Sequence, residues 1–208
     1  EYIDPVRYIS NESSGKQGHE IAEALNRLGI ETTLITGPTN LISNKDIKTK
    51  KIITASEMFE TVKKSLPVDI AVCAAAVTDF KPVYKSKSKL KKENLRLKSF
   101  ELQKNIDILE FLGKNNKFRP KIVIGFAAET DNLDKNALSK LKQKNCDIII
   151  ANDVSKKDSG FNSDYNRVSI IDNSGKIKVV KKNKKSFIAN IIANIILDKI
   201  LINDRSFN

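Results

Sequence analysis

The chain has 208 residues, is 40% hydrophobic and carries a net charge of +12, most of it from lysine. That length buries one sizeable core, whereas two full domains would each be small, so the expectation is a single domain over residues 1–208 with an appendage. The basic balance invites anionic partners such as nucleotides, phosphorylated metabolites, RNA or acidic lipid, although a solvated lysine-rich surface gives the same sum. Nucleic-acid readers stack bases on aromatic and arginine side chains. Here aromatics are 6%, tryptophan is absent, and no RNA-binding or zinc-finger spacing occurs, so no nucleic-acid partner is expected. No segment reads as a signal peptide, and the longest apolar run is too short to cross a bilayer. A cytoplasmic protein without a membrane partner is the expectation, and a start at Glu1 without methionine suggests an excised piece.

In chain order, "RYIS" (7–10) reads as a first strand, and "HEIAEALNRLG" as a helix over 18–28 with Ile21, Ala22, Ala24, Leu25 and Leu28 on one face and Gly29 as its stop. "ETTLITGP" (31–38) reads as a second strand. "KIITA" (51–55) is a short strand before a helix near 55–65, and "DIAVCAAAV" (69–77) is a buried strand. "KIVIGFAA" (121–128), a helix over "DNLDKNALSKLKQKN" (131–145) and the strand "CDIIIAND" (146–153) follow. "NRVSIID" and "KIKVVKK" flank Asn173-Ser174-Gly175 as a hairpin, and a helix over about 184–202 closes the domain. The strands are apolar throughout rather than alternating, as parallel strands covered on both faces are. The fold class is therefore α/β, Rossmann-like, with a doubly wound and mostly parallel sheet. Cys73 and Cys146 sit inside apolar runs and read as small buried hydrophobes.

Residues 80–104 break this rhythm with a lysine-dense stretch followed by the alternating "LRLKSFEL", which predicts a basic flap and then an exposed strand. The flap follows the carboxyl end of a buried strand, and in open α/β sheets ligands bind at that edge. The same edge would gather Asn11, Ser13, Ser14, Gly15 and Lys16, then Gly37, Asp79, residues 126–129, Asn152 and Asp153. No G-x-G-x-x-G occurs, and Gly15-Lys16 lacks the flanking residues of a phosphate-binding P-loop. A serine-rich turn before a helix can still hold phosphate through backbone N–H groups, or serve as an ordinary cap. His19 reads as an exposed helix-end residue with no nucleophile beside it. Asp79 fits a Mg²⁺ (or Mn²⁺) ion shared with phosphates, and Lys140 and Lys144 share one helix face, where they suit a polyphosphate or simply solvent.

Six ordered stretches, "DPVRYISNESSGKQG", "AAAVTDFKP", "KLKK", "IGFAAET", "KLKQKNCDIIIANDVS" and "GFNSDYNRV", resemble the phosphopantothenoylcysteine synthetase family, the carboxy-terminal half of bifunctional flavoproteins of coenzyme A biosynthesis. The resemblance covers about residues 2–172. It implies a ligase that activates the carboxylate of 4′-phosphopantothenate with CTP as an acyl-cytidylate and then couples it to L-cysteine. FMN would belong only to an amino-terminal decarboxylase half, absent from this piece. On the family's pattern, Asn11 handles the acyl-cytidylate and Lys89, the first lysine of "KLKK", acts from the flap. The nucleotide contacts would be Ser13, Ser14, Gly15, Gly37, Ala75, Ala76, Asp79, Lys89, Asn105, Ile106, Asp107, Ile108, Phe126, Lys140 and Lys144, with Asp79 also on the metal. Two departures stand out: Ile106 replaces a proline of the pattern, and Gln17 a commonly apolar residue.

The family also implies a homodimer, and Leu95 and Leu97 in the alternating segment are apolar residues in need of a partner surface. Two other readings are an ATP-dependent version of the same ligase and a non-catalytic nucleotide- or RNA-binding module.

Overall fold

The structure is a computed structural model that describes residues 1–91, 99–114, 117–129, 131–154 and 163–205. Its centre is a five-stranded sheet in the order β3 (Ile70–Cys73), β6 (Ile122–Glu129), β7 (Ile148–Asp153), β8 (Tyr165–Asp172), β9 (Ile177–Lys184). β3, β6 and β7 run parallel, whereas β8 and β9 return antiparallel as the hairpin expected around Asn173-Ser174-Gly175. A separate parallel pair is formed by β1 (Thr33–Thr36) and β2 (Lys48–Lys51), and a small antiparallel arm by β4 (Phe80–Pro82) and β5 (Leu102–Lys104).

The pleat divides the apolar strands between two cores. Ile122, Ile124, Ile148 and Ile150 face one side and pack with Ile21 and Leu25 of α1 (Lys16–Arg27) and Ile188, Ile192 and Ile196 of α5 (Lys185–Arg205). Val123, Ile149 and Ala151 face the other side. There they meet Met58 of α2 (Ala55–Lys63), Leu109 and Leu112 of α3 (Ile108–Lys114), and Ala137 and Leu141 of α4 (Leu133–Lys144). Each isoleucine fully buried in this way contributes roughly 1.5–3 kcal/mol. Local signals agree with the tertiary arrangement. Thr54 and Glu57 form a capping box on α2, and Gly15, at the start of α1, has a φ of 72° that favours glycine.

The Rossmann-like α/β expectation holds, and several elements differ in detail. "RYIS" is not a strand of the sheet. Residues 1–9 close on themselves: Tyr8 bridges Tyr2, the Ile9 amide donates to the Glu1 carbonyl at 2.8 Å, and the Ile3 amide donates to the Arg7 carbonyl at 2.8 Å. The cause is Asp4-Pro5, a turn-initiating pair. The buried Asp4 carboxylate accepts the Val6 and Arg7 amides, each at 2.8 Å, and folds the chain back. The strand read at "KIITA" lies earlier, at β2, because Thr54 is committed to capping α2. The strand read over 69–77 ends at Cys73. Cys146 is buried as expected but Cys73 only half-buried; burial pushes both thiols up to about 12. α3 was not expected, since its seven residues give too short a period to read. Among the described residues of the 80–104 segment's expected strand, pairing is seen at 102–104, and Leu95 and Leu97 lie outside the described residues.

α3 and α4 meet at Gly113, where a Cβ would collide with the Lys144 backbone carbonyl. Arg119 locks this junction, donating to the carbonyls of Gly113, Pro120 and Asn145 and to the Asp147 carboxylate. Backbone cannot yield as a side-chain tip can, so Gly113→Ala is expected to cost about 1–3 kcal/mol or more. That is a fall in melting temperature of roughly 2–4 °C per kcal/mol for a domain of this size, and an unchanged melt would show that the helices slide apart freely.

Candidate functional site

The carboxyl ends of the parallel strands open into one cavity of about 1820 Å³. Its polar mouth is lined by Asn11, Ser13, Ser14, Gly15, Gly37, Ala75, Ala76, Asp79, Asn105, Ile106, Asp107, Ile108, Phe126, Lys140 and Lys144. The catalytic and nucleotide-contact residues expected from the family's pattern all line it except Lys89, and of the wider set expected at this edge Ala127, Glu129 and Asp153 do not line it. That lysine is exposed on the loop after β4 and is not part of the lining. Its neighbour Leu90 is tied down instead: the Leu90 amide donates to Asp4 Oδ2 at 3.2 Å, and Arg7 donates to the Leu90 carbonyl at 3.3 Å.

The turn before α1 is held by its own hydroxyls. Ser13 Oγ accepts the Gly15 amide at 3.2 Å and Ser14 Oγ accepts the Lys16 amide at 3.4 Å, an arrangement that turns the backbone into the helix start. Asn11 is exposed, and its Nδ2 donates to the Val77 carbonyl at 3.1 Å, bridging the turn to the segment that leaves β3. Lys16 also lines the cavity, but its Nζ is paired with Asp164 at 2.7 Å. That contact raises the lysine pKa and lowers the aspartate's. On the far side of the mouth, the Asn105 amide donates to the Asp79 carbonyl at 2.8 Å and Asn105 Nδ2 donates to the Thr78 carbonyl at 2.9 Å. This sets exposed Asp79 beside β5.

The two helix lysines differ in their surroundings. Lys140 Nζ donates to the Phe126 carbonyl at 3.1 Å and has no carboxylate partner among the described residues. Lys144 Nζ lies 2.9 Å from Asp107 and 2.8 Å from Glu110. Burial would lower its pKa, but hydrogen bonds to Glu110 and Asp107 outweigh this and raise it. Lys144 thus anchors a local ion network, and Lys140 is the freer cation of the pair.

Several buried polar atoms along the cavity have no hydrogen-bond partner among the described residues: Gln17 Oε1, His19 Nε2, Asn105 Oδ1, Asn152 Oδ1 and Asn166 Nδ2. Such groups are costly unless something polar, an ordered water or a ligand, meets them. His19 is buried, contrary to its sequence reading, because Nδ1 turns back to the Gly15 carbonyl at 3.1 Å. Lys185 also lines the cavity; it is buried, and desolvation lowers its pKa. In sequence it is hidden within "KKNKKS", where nothing separates one lysine from the next. Among the described residues no three His, Cys, Asp or Glu side chains gather around a metal position. The lone carboxylate of Asp79 fits a Mg²⁺ that takes its other oxygens from phosphate and water, as that ion usually does.

The family model of the DNA/pantothenate metabolism flavoprotein C-terminal domain matches residues 1–200. The chain belongs to that family. It is 43% identical over 198 residues, 94% of its length, to the coenzyme A biosynthesis bifunctional protein CoaBC of Borreliella burgdorferi. It is 41% identical over 197 residues, again 94% of its length, to the protein of that name from Haemophilus influenzae. Those matches take in 49% and 48% of the two proteins, so the chain spans about half the length of these relatives. A solved structure of the C-terminal domain of a CoaBC protein superposes with a TM-score of 0.80 at 34% identity, covering 98% of this chain and 91% of that one. This flavoprotein C-terminal domain therefore shares its architecture with a solved member of the family. Among the described residues no helix is long and apolar enough to cross a membrane.

The ion network at the mouth has a pH signature. Hydrogen bonds from Lys114 and Lys144 hold the Glu110 carboxyl down at about 2, against an ordinary value of 4.5. A depressed folded pKa gives stability that is complete above the unfolded value and is lost as pH falls through the folded one. Wild-type protein should therefore lose stability between about pH 4.5 and 2 more steeply than Glu110→Gln, as read by denaturant melts across that range. Parallel slopes would mean that the carboxylate gains nothing from its lysines.

Proposed function

We propose that this domain is a phosphopantothenate–cysteine ligase that activates 4′-phosphopantothenate with CTP. The observation that carries the reading is the family match over residues 1–200, and the shared lining of one cavity by the motif residues supports it. The carboxylate of 4′-phosphopantothenate attacks the α-phosphate of CTP, forming the acyl-cytidylate and releasing pyrophosphate. The amine of L-cysteine then attacks the acyl carbon and CMP leaves. Such chemistry depends on positioning and on charge stabilisation more than on an acid/base pair.

Each residue then has a part. The backbone N–H groups and hydroxyls of the 13–15 turn, at the start of α1, receive phosphate, with Gly37, Ala75 and Ala76 lining the nucleotide's path. Asn105, Ile106, Asp107, Ile108 and Phe126 border the nucleotide. Lys140 supplies a cation, and Lys144 holds Asp107 and the start of α3 in register. Asp79 would hold Mg²⁺ (or Mn²⁺) together with phosphate oxygens, and the ion supplies charge neutralisation on the triphosphate when bound. Asn11 keeps one amide proton beyond its bond to Val77 and presents it to the acyl oxygen. Lys89 joins the triphosphate only after its loop leaves the Asp4–Arg7 contact.

FMN belongs to the decarboxylase half of the bifunctional relatives and has no step in this reaction. The reading includes a cytoplasmic homodimer formed from a single-domain chain. Phe80, Val83, Tyr84, Phe100 and Leu102 are exposed on and beside the β4–β5 arm, an apolar set suited to a second copy. Light scattering at micromolar concentration should give twice the chain mass, and a monomer there would remove the dimer from the reading.

The activity test is pyrophosphate release with 4′-phosphopantothenate and CTP or ATP, followed by cysteine addition. Release with CTP that needs 4′-phosphopantothenate supports the reading; none with either nucleotide contradicts it. Asn11→Asp keeps the side chain's size but sets an anion beside the reacting acyl group. It should still bind CTP yet slow the cysteine step by about 10² to 10³, the cost of losing a comparable donor. Acyl-cytidylate then accumulates in quenched samples, and its consumption at the wild-type rate would reduce Asn11 to a turn residue.

A further inference from the structure

Beneath its polar mouth the cavity continues between β1 and β3. It is lined there by Leu34 and Ile35 on one side and by Ile70, Ala71, Val72 and Cys73 on the other. At about 1820 Å³ it exceeds the roughly 300–1,000 Å³ of ordinary ligand pockets, and this apolar groove is part of it. Among the described residues β3 pairs with β6 alone and β1 with β2 alone, so each shows the groove a hydrogen-bonding edge that no described strand covers. All four residues of β3 remain partly exposed, whereas the first four of β6 and of β7 are buried. Apolar parallel strands with open edges are costly and are normally paired.

The helices indicate what fits. Parallel strands are joined by crossover helices, and here α2 leads from β2 to β3 and α4 from β6 to β7. α1 leads into β1 in the same manner, yet no strand stands ahead of it among the described residues. Moreover, α1 covers one face of the sheet while α2, α3 and α4 cover the other. In a doubly wound sheet such a change of face marks the position where strand order reverses. One parallel strand in the groove gives the order β2, β1, new strand, β3, β6, β7, and makes α1 an ordinary crossover from that strand to β1. Its carboxyl end falls at the polar mouth, beside Glu1, which lines the cavity.

We propose that the groove seats one further strand of this sheet, an extended segment apolar on both faces, running parallel to β1 and β3 and joined directly to Glu1 in the same polypeptide. The groove carries this proposal, with the unpaired edges and the strandless crossover; it does not rest on the ligase reading. The relatives leave room for such a segment, since about half of their length lies outside the match.

The test compares the 208-residue chain with two versions extended at Glu1: one by a seven-residue Val/Ile-rich strand ending in Ala-Gly, the other by the same segment with proline at alternate positions. Amide hydrogen exchange is followed at 33–36 and 70–73, together with thermal melting. The strand extension should slow exchange at both edges at least tenfold and raise the melting temperature, and the proline version should do neither. An unextended chain that melts without cooperativity, rescued by the strand extension alone, is the same result in stronger form. Equal exchange in all three proteins overturns the proposal. So does protection of both edges in the unextended chain through self-association, read by light scattering, because the occupant is then a second copy.

Discussion

Isoleucine and valine on both faces of β6 and β7 impose the constraint from which the other features follow. Ile122, Ile124, Ile148 and Ile150 must be covered on one side and Val123, Ile149 and Ala151 on the other, so helices are required in two layers and the strands between them run parallel. Two layers of helix leave the strand ends as the places where polar backbone meets solvent. At the carboxyl ends the chain concentrates Asn11, Asp79, Asn105, Phe126 and Lys140 around one cavity, while the strands leading there are nearly free of charge. Fold and site are therefore one arrangement: an apolar sheet interior with polar residues at its carboxyl edge.

The parts of the fold that were legible in sequence are those where local pattern and tertiary burial agree. "KIVIGFAA" and "CDIIIAND" are continuous apolar runs and became β6 and β7, and the Asn-Ser-Gly turn marked the β8–β9 hairpin. "RYIS" misled because an apolar pair suggests a strand, while Asp4-Pro5 just upstream decides the matter by folding the segment back. The short period of α3 is indistinguishable from a loop in sequence, and its helical state is held by the contact of Gly113 with α4 and by Arg119.

The candidate site was legible in membership rather than in electrostatics. Sequence motifs gathered the lining residues, but a list of lysines does not say which are already paired. Lys16 is bound to Asp164 and Lys144 to Asp107 and Glu110, leaving Lys140 without a carboxylate among the described residues. The polar atoms of Gln17, His19, Asn152 and Asn166 without a partner among the described residues, and the buried Lys185, were invisible until distant segments met. Such groups are costly until water or a ligand meets them.

A cleft lined by amide donors and lysine cations suits a reaction in which a nucleotide, and not the protein, supplies the activated group. The most direct measurement follows heavy oxygen placed in the carboxylate of 4′-phosphopantothenate through a complete turnover with CTP and cysteine. Attack of the carboxylate on the α-phosphate, followed by departure of CMP, predicts one heavy oxygen in the phosphate of CMP and none in pyrophosphate. Labelled inorganic phosphate together with CDP would contradict it, because the carboxylate would then have been activated at the γ-phosphate.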